Sequence, residues 1–309
     1  LDYHGNMQAY AATKARLFHW DGLKYAVLNF DDVFSVELTK QLTGRATNII
    51  GYGFEELAIK ERDPKLFKMV HGRNLRVSSQ GLEFDVVFEG ERIKVKTALI
   101  GEFNASNLLA VLSTLLACGL SLSDAVKSLQ EIQPIPGRME KFGGGNLPLV
   151  VIDFAHTPEA LEKTLIALRV VINSAKDVTN IKDKKSKLIC IFGCGGDRDQ
   201  DKRALMGKIA TELSDETIIT SDNPRNEDPC SIINEIVLGA GINYLVQENR
   251  EAAIRRALYG AHKGDIVLIA GKGHEAYQEI GKKRFPFSDA KVVRLILQEL
   301  TSKVQGHQE

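Results

Sequence analysis

The spacing of apolar and polar positions changes partway along the chain, and the change divides it in two. In the first third, short helical stretches are mixed with strands that alternate. YAATKARLFHW (10–20) predicts a helix, and KYAVLNF (24–30) predicts a buried strand ending in Asp31-Asp32. Period-two stretches in NLRVSS (74–79), LEFDVVFE (82–89) and RIKVKTALI (92–100) predict strands, the last two joined by a hairpin turn at Gly90-Glu91. NASNLLAVLSTLLACG (104–119) has helical spacing with an asparagine start and a glycine stop. A second helix runs from its Ser121 cap to Gln130, with Asp124 close behind the cap.

After QPIPGR (133–138), which holds two of the eight prolines, continuous apolar strands alternate with amphipathic helices. LVVIDF (149–154) precedes a helix from Pro158, and KLICIFG (187–193) precedes one from about Asp201. ETIITSD (216–222) precedes a helix from Pro229, and IVLIAG (266–271) comes before the final helix, Ser288 to Leu300. The alternation predicts an α/β protein whose second domain is Rossmann-like, with βαβ units around a mostly parallel sheet. The boundary is placed within 133–138, giving domains 1–136 and 137–309. KDKKSK (182–187) reads as a solvated loop, and no internal repeat is visible.

Composition then narrows the function. A chain of 309 residues suggests about two domains, and its 40 Lys+Arg balance 40 Asp+Glu. A neutral chain without a basic block argues against nucleic acid or an anionic membrane as the main partner. No apolar run reaches the roughly 18 residues needed to span a bilayer. Cys118, Cys190, Cys194 and Cys230 form neither a disulfide framework nor a zinc pattern. They are expected to be reduced, buried or strand-borne thiols of a cytoplasmic protein.

The unusual residues of the second half recur at strand ends, where an open parallel sheet binds its ligands. The first strand runs into Asp153-Phe-Ala-His156-Thr-Pro158 and the second into GCGGDRDQDKR (193–203). The third ends in SDNPR (221–225) and the last in GKGHE (271–275). Each has a plain reading on its own: a tight glycine turn, an Asx turn, a loop histidine, surface arginines at 198 and 203. Four together point to a site. Arg198 and Arg225 are permanently charged forks suited to carboxylates, and Asp222 and Glu275 are the matching anions for an ammonium. Such a set suits an amino-acid zwitterion. In the first half, Asn104 and Asn107 share a helix face by their i, i+3 spacing, although a helix cap plus a stray amide is an equally plain reading. Lys14, taken alone, reads as an exposed helical lysine.

These residues together resemble the Mur ligases. The likeness is carried by LDYHGNMQAYAATKARLF, NFDD (29–32), GEFNASNLLAV (101–111), PGRME (136–140), DFAHTPEAL (153–161), FGCGGDRDQDKR, SDNPR and GKGHE, in family order. Within the family it is similar to the members that add meso-2,6-diaminopimelate. The resemblance implies an ATP-dependent amide ligase of peptidoglycan precursor synthesis. A carboxylate of a UDP-N-acetylmuramoyl-dipeptide is phosphorylated, and the amine of meso-diaminopimelate then attacks the acyl phosphate. It implies ATP and Mg2+, with Lys14 as the lysine whose carbamate ligates magnesium. Asn104 and Asn107 match residues at the adenine end of ATP, Arg138 the hinge arginine at the γ-phosphate, and Asp153 a residue near the ribose. His156 lies in the same nucleotide-facing loop. Arg198, Asp222, Asn223, Pro224, Arg225, Gly271 and Glu275 match diaminopimelate-binding positions. The implied protein is cytoplasmic and monomeric.

The departure is large. The chain has no G-x-x-x-x-G-K-[ST] phosphate loop. The family's metal-binding histidine would come just before Leu1, and His4 is a different histidine. The expectation is a piece of a longer chain: the tail of a P-loop-type central ATPase domain followed by the C-terminal domain, inactive alone. Two alternatives stay open. A sister ligase using L-lysine or a folylpolyglutamate synthetase would differ in the SDNPR and GKGHE loops, with a neutral residue expected at Arg225 for lysine. A non-catalytic amino-acid-binding module would share the loops and lack turnover.

Overall fold

The structure is a computed structural model that describes residues 7–42, 44–55, 66–176 and 186–305. The chain divides into two compact units, one of residues 1–76, 81–98 and 102–132, the other of 77–80, 99–101 and 133–309. Residues 133–136, assigned from the sequence to the first domain, therefore cluster with the second unit.

The first unit holds a five-stranded sheet in the order β1-β2-β3-β4-β5. These are β1 (Tyr25–Asn29), β2 (Asn48–Gly53), β3 (Phe67–Val77), β4 (Leu82–Phe88) and β5 (Glu91–Thr97). β1, β2 and β3 run parallel, and β4 and β5 form the expected antiparallel hairpin. Helix α1 (Met7–Phe18) starts before the predicted stretch, and α2 (Val33–Gln41) was not foreseen. Its cap is Asp32, which accepts the Phe34 N–H. Asp31 instead accepts the amides of Phe54 and Glu55 beyond β2, so the Asp-Asp pair ties β1 to its neighbours. Ala15, Leu28, Phe30, Leu38 and Ile49 form the core against which these elements close. Helix α3 (Glu102–Ala117) packs on β1 and β2, and α4 (Leu122–Gln130) on α3 and β5, capped by Ser121 as predicted.

The second unit is a six-stranded sheet in the order β10-β9-β8-β11-β7-β6. Its strands are β6 (Glu140–Gly143), β7 (Leu149–Asp153), β8 (Leu188–Phe192), β9 (Glu216–Ile219), β10 (Tyr244–Val246) and β11 (Ile266–Ala270). All pairings are parallel except β6 on the edge. Every residue of β7, β8 and β11 is buried, as strands covered on both faces require. Helices α5 (Pro158–Lys176), α6 (Lys202–Leu213) and α7 (Pro229–Val237) pack side by side. The pair α8 (Arg250–Gly260) and α9 (Asp289–Gln305) covers the face that Val150, Ile152, Ile189, Ile191, Val267 and Ile269 present. A small hairpin, β12 (Tyr277–Ile280) and β13 (Lys283–Pro286), follows β11. Because β9, β8, β11 and β7 are neighbours, the four loops picked out from the sequence leave one edge of the sheet side by side.

Cys190 and Cys194 are buried, and burial pushes both thiols up to about 12. Cys118 and Cys230 are exposed, which corrects the expectation that all four are interior or strand-borne. Among the described residues no helix is long and apolar enough to cross a membrane.

Candidate functional site

In the second unit the loop residues hold one another. After β9, Asp222 and Asn223 are buried, only 7% and 3% exposed. Asn223 donates its Nδ2 to Glu275 Oε2 at 2.8 Å and accepts the Lys272 ammonium on Oδ1 at 2.9 Å. Glu275 Oε2 also accepts from Lys272 at 3.0 Å. Burial alone would push the Glu275 carboxyl up, but the Lys272 and Asn223 hydrogen bonds outweigh it and hold it below the ordinary glutamate value. Gly271, at φ 111°, brings the two loops together: a Cβ there would lie 2.6 Å from Asp222 Oδ2.

Asp222, read from the sequence as an anion for a ligand's ammonium, faces internal cations in this structure, with 10% of its side chain exposed. It lies between two internal cations, 3.9 Å from Lys272 Nζ and 4.0 Å from Arg250 Nη1. Burial still pushes its carboxyl above the usual aspartate range. Arg250, 2% exposed, grips Asp289 through Nε and Nη2 at 2.9 and 2.8 Å and the Ala270 carbonyl at 3.0 Å. That buried pair fixes the end of β11 from which the GKGHE loop departs.

Arg225 follows Pro224 with φ at 51°, a left-handed conformation that costs about 1–2 kcal/mol for a residue with a side chain. The β12 strand holds it there. The Arg225 amide donates to the Glu279 carbonyl at 3.0 Å, and Gly281 donates back to the Arg225 carbonyl at 2.6 Å. Its guanidinium bonds Glu279 Oε2 through Nε (3.0 Å) and the Gly196 carbonyl through Nη1 (2.8 Å). Arg198 is exposed, with one long bond of 3.5 Å to the Asp197 carbonyl. Arg203, read from the sequence as a possible surface residue, is fully buried and paired with Glu227 and Glu235 at 2.8 Å. Through Glu227, which accepts the Asp197 amide at 2.6 Å, it braces the loop that carries Arg198.

The loop after β7 gathers Arg138, Asp153 and His156. The Asp153 carboxylate accepts the amides of Met139 and Ala155, both at 2.9 Å, and burial raises it above the usual aspartate value. Arg138 lies over the Phe154 ring at 4.7 Å, and His156 meets the same ring edge-on at 4.6 Å. Gly137 lets this stretch approach the GKGHE loop, because a Cβ would fall 2.1 Å from the His274 nitrogen.

The first-unit candidates sit differently. Asn104 and Asn107 share a face of α3, linked by an Asn107 Nδ2 to Asn104 Oδ1 bond of 3.2 Å. The helix begins at Glu102, so neither is its cap. Lys14 is exposed on α1, its ammonium 4.5 Å from the Tyr10 ring centre. Among the described residues no three His, Cys, Asp or Glu gather to hold a metal ion. His4 lies outside the described residues.

Sequence reasoning missed Lys272, Arg250, Glu279 and the Arg203–Glu227 brace. Lys272 alone carried a signal, a lysine between two glycines after an apolar strand.

A parallel sheet whose neighbouring strand-end loops converge on buried, interlocked charges defines an open α/β ligand-binding unit, and the comparisons give its family. The chain belongs to the Mur ligase family. Residues 1–115 match the Mur ligase middle domain, and residues 137–273 match the Mur ligase glutamate ligase domain. It is 51% identical over 310 residues to a UDP-N-acetylmuramoyl-L-alanyl-D-glutamate–2,6-diaminopimelate ligase of Nitrosomonas europaea, covering 99% of this chain and 60% of that protein. The ligase of the same name from Chromobacterium violaceum is 44% identical, over 94% of this chain and 55% of its own length. A solved structure of a ligase of that name matches with a TM-score of 0.66 at 35% identity, covering 97% of this chain and 58% of that one. MurF from Acinetobacter baumannii shares the fold at 16% identity and a TM-score of 0.60. The chain thus spans little more than half the length of the curated relatives it matches.

Proposed function

We propose that this chain carries the amino-acid site of an ATP-dependent ligase that joins meso-2,6-diaminopimelate to the γ-carboxyl of the D-glutamate in UDP-N-acetylmuramoyl-L-Ala-D-Glu. The observation that carries the reading is the convergence of Asn223, Arg225 and Glu275 from two strand ends, the hairpin fixing the arginine. It is supported by what the relatives' names say they act on. The reaction moves the γ-phosphoryl of ATP to the carboxylate oxygen, leaving ADP. The amine nitrogen then bonds the acyl carbon, and phosphate departs with the oxygen it gained.

This chain's residues bind and orient. Glu275, held ionised, takes an ammonium of the amino acid. Arg225 and the exposed Arg198 take its carboxylates, and the Asn223 amide fixes the space between them. Arg138, supported on Phe154, is the cation for the γ-phosphate. Asp153 holds the chain around Met139 through its amide. His156 flanks Phe154, and Asn104 with Asn107 meets the adenine. A Lys14 carbamate would supply one oxygen toward Mg2+, whose chemistry is charge neutralisation on the transferring phosphoryl group. The proposed protein is a cytoplasmic monomer. The second reading, a non-catalytic amino-acid-binding module, is favoured by the absence of a phosphate-loop motif from these residues.

The test is a calorimetric titration of the 309-residue chain with meso-diaminopimelate and with L-lysine. The expected result is saturable binding of diaminopimelate that Glu275→Gln removes. Equal heats for both amino acids, unchanged by the substitution, would sink the amino-acid reading.

A further inference from the structure

We propose that Lys272 is a positioning residue of the amino-acid site, setting the orientation of the Asn223 amide and keeping the Glu275 carboxylate ionised and in place. The inference rests on the amino-acid reading above and goes beyond it, because Lys272 itself cannot meet a ligand. Its side chain has no exposed surface. Flanking Gly271 and Gly273, both at positive φ (111° and 54°), turn the loop so that the lysine between them points inward.

A buried ammonium is tolerated only when paired and hydrogen-bonded, and the partners of this one are two site residues. An ammonium can only donate, so the Asn223 atom facing it must be the carbonyl oxygen. The Glu279 amide donates to the same oxygen at 2.9 Å. Both bonds lock the amide so that its NH2 group faces Glu275. Without Lys272 a carboxylate and an amide would face each other with no cation between them.

Charge counting sharpens the point. The charged groups around Glu275 are Lys272 on its own loop, Asp222 and Arg225 from the loop after β9, Glu279 from β12, and Arg250 and Asp289 at the starts of α8 and α9. Glu279 is shared by Arg225 at 3.0 Å and by the exposed Arg284 of β13 at 3.8 Å, so this outer set carries one cation in excess. The inner set is Lys272 and Arg250 against Asp222, Asp289 and Glu275, one anion in surplus within that set. Glu275 is the most open member of that set, 23% exposed against 10% for Asp222, so the surplus is offered where an ammonium can reach it. Removing Lys272 would leave one cation against three anions, and burial would then favour a proton on Glu275.

The experiment compares the chain with its Lys272→Met variant, reading the Glu275 carboxyl carbon by NMR as pH is varied and meso-diaminopimelate affinity by calorimetry. In the unsubstituted chain Glu275 should titrate below a free glutamate. In the variant its midpoint should move to higher pH, and affinity at neutral pH should fall about tenfold, falling further as the solution is acidified. A general loss of stability would not move that midpoint in molecules that remain folded. If the methionine variant does not fold, Lys272→Gln keeps a polar group in the space, and the same upward move is expected. A folded variant with Glu275 titrating where it did, and affinity within about twofold, overturns the proposal. If the unsubstituted chain binds no diaminopimelate, the amino-acid reading fails, and the titration of Glu275 decides the role of Lys272 alone.

Discussion

The two units carry their candidate chemistry in opposite ways. In the second, Asn223, Arg225, Asp222 and Glu275 sit on loops, and each is held by partners from at least one other loop or from the β12 strand. In the first, Lys14, Asn104 and Asn107 sit on helices, and the contacts described for them are one turn away on the same helix. A helix backbone fixes the spacing of its side chains but not their rotamers. Interlocked loops fix both, at the cost of burying charge. On the proposed reading the amino-acid site is held in place within the second unit, whereas the first-unit residues act together with a phosphate-loop motif that is not among these 309 residues.

The sharpest way to break that contrast is to look for turnover. With ATP, the UDP-linked dipeptide, meso-diaminopimelate and magnesium all present, the 309-residue chain should release no phosphate, because backbone amides and a lysine that would hold the β- and γ-phosphates are missing from it. Phosphate above a no-protein control, lost in Arg138→Ala, would contradict this. The next largest effect concerns stability. Asp289→Asn should cost about 3–5 kcal/mol in urea denaturation by stranding the buried Arg250, whereas Lys14→Ala should stay within about 0.5 kcal/mol. Similar losses for the two would erase the distinction between interlocked and exposed charge.

A smaller effect is expected on selectivity. Diaminopimelate differs from lysine by a distal carboxylate, and its charge-assisted pair with Arg225 should contribute about 1.5–3 kcal/mol. Arg225→Ala should therefore lower the ratio of diaminopimelate to lysine affinity at least about tenfold, by weakening diaminopimelate. An unchanged ratio would move the selectivity to Arg198. The smallest effect is chemical. With thiol values of about 12, Cys190 and Cys194 are about one part in ten thousand thiolate at pH 8 and inert to a thiol reagent in the folded protein. Cys118 should react first, and Cys230 more slowly because Glu248 raises its thiol. Four reactive thiols before denaturation would mean an interior far looser than the packing described.

Much of the fold was legible because local pattern determines it. Strands β7, β8 and β11 are unbroken apolar runs, the helices after β7, β8 and β9 open at Pro158, near Asp201 and at Pro229, and Ser121 caps α4 by its own side chain. The elements that were missed lack such marks. β2 carries Gly51 and ends at Gly53, β12 and β13 are short, the first half-buried and the second exposed, and β10 has three residues. Strands of this kind exist because a neighbour pairs with them, and pairing is not written in a local period.

The candidate site divides along the same line. The sequence by itself marked which strand ends carry clusters of glycine, proline and charge after an apolar run, and the strand order sets those ends side by side. The sequence also determined the shared face of Asn104 and Asn107, since helical spacing is local. Only the tertiary structure decided what each charge is for. Asp222 and Glu275 look alike in the sequence, yet Asp222 is enclosed by Arg250 and Lys272 while Glu275 stays partly open. Arg198, in the loop after β8, and Arg203, in the first turn of α6, are five residues apart, yet one is exposed and the other is a buried brace. Burial and partner choice depend on residues far away in the chain, such as Glu279, 56 positions from Asn223, brought together by the order of strands in the sheet. No local pattern can report that distance.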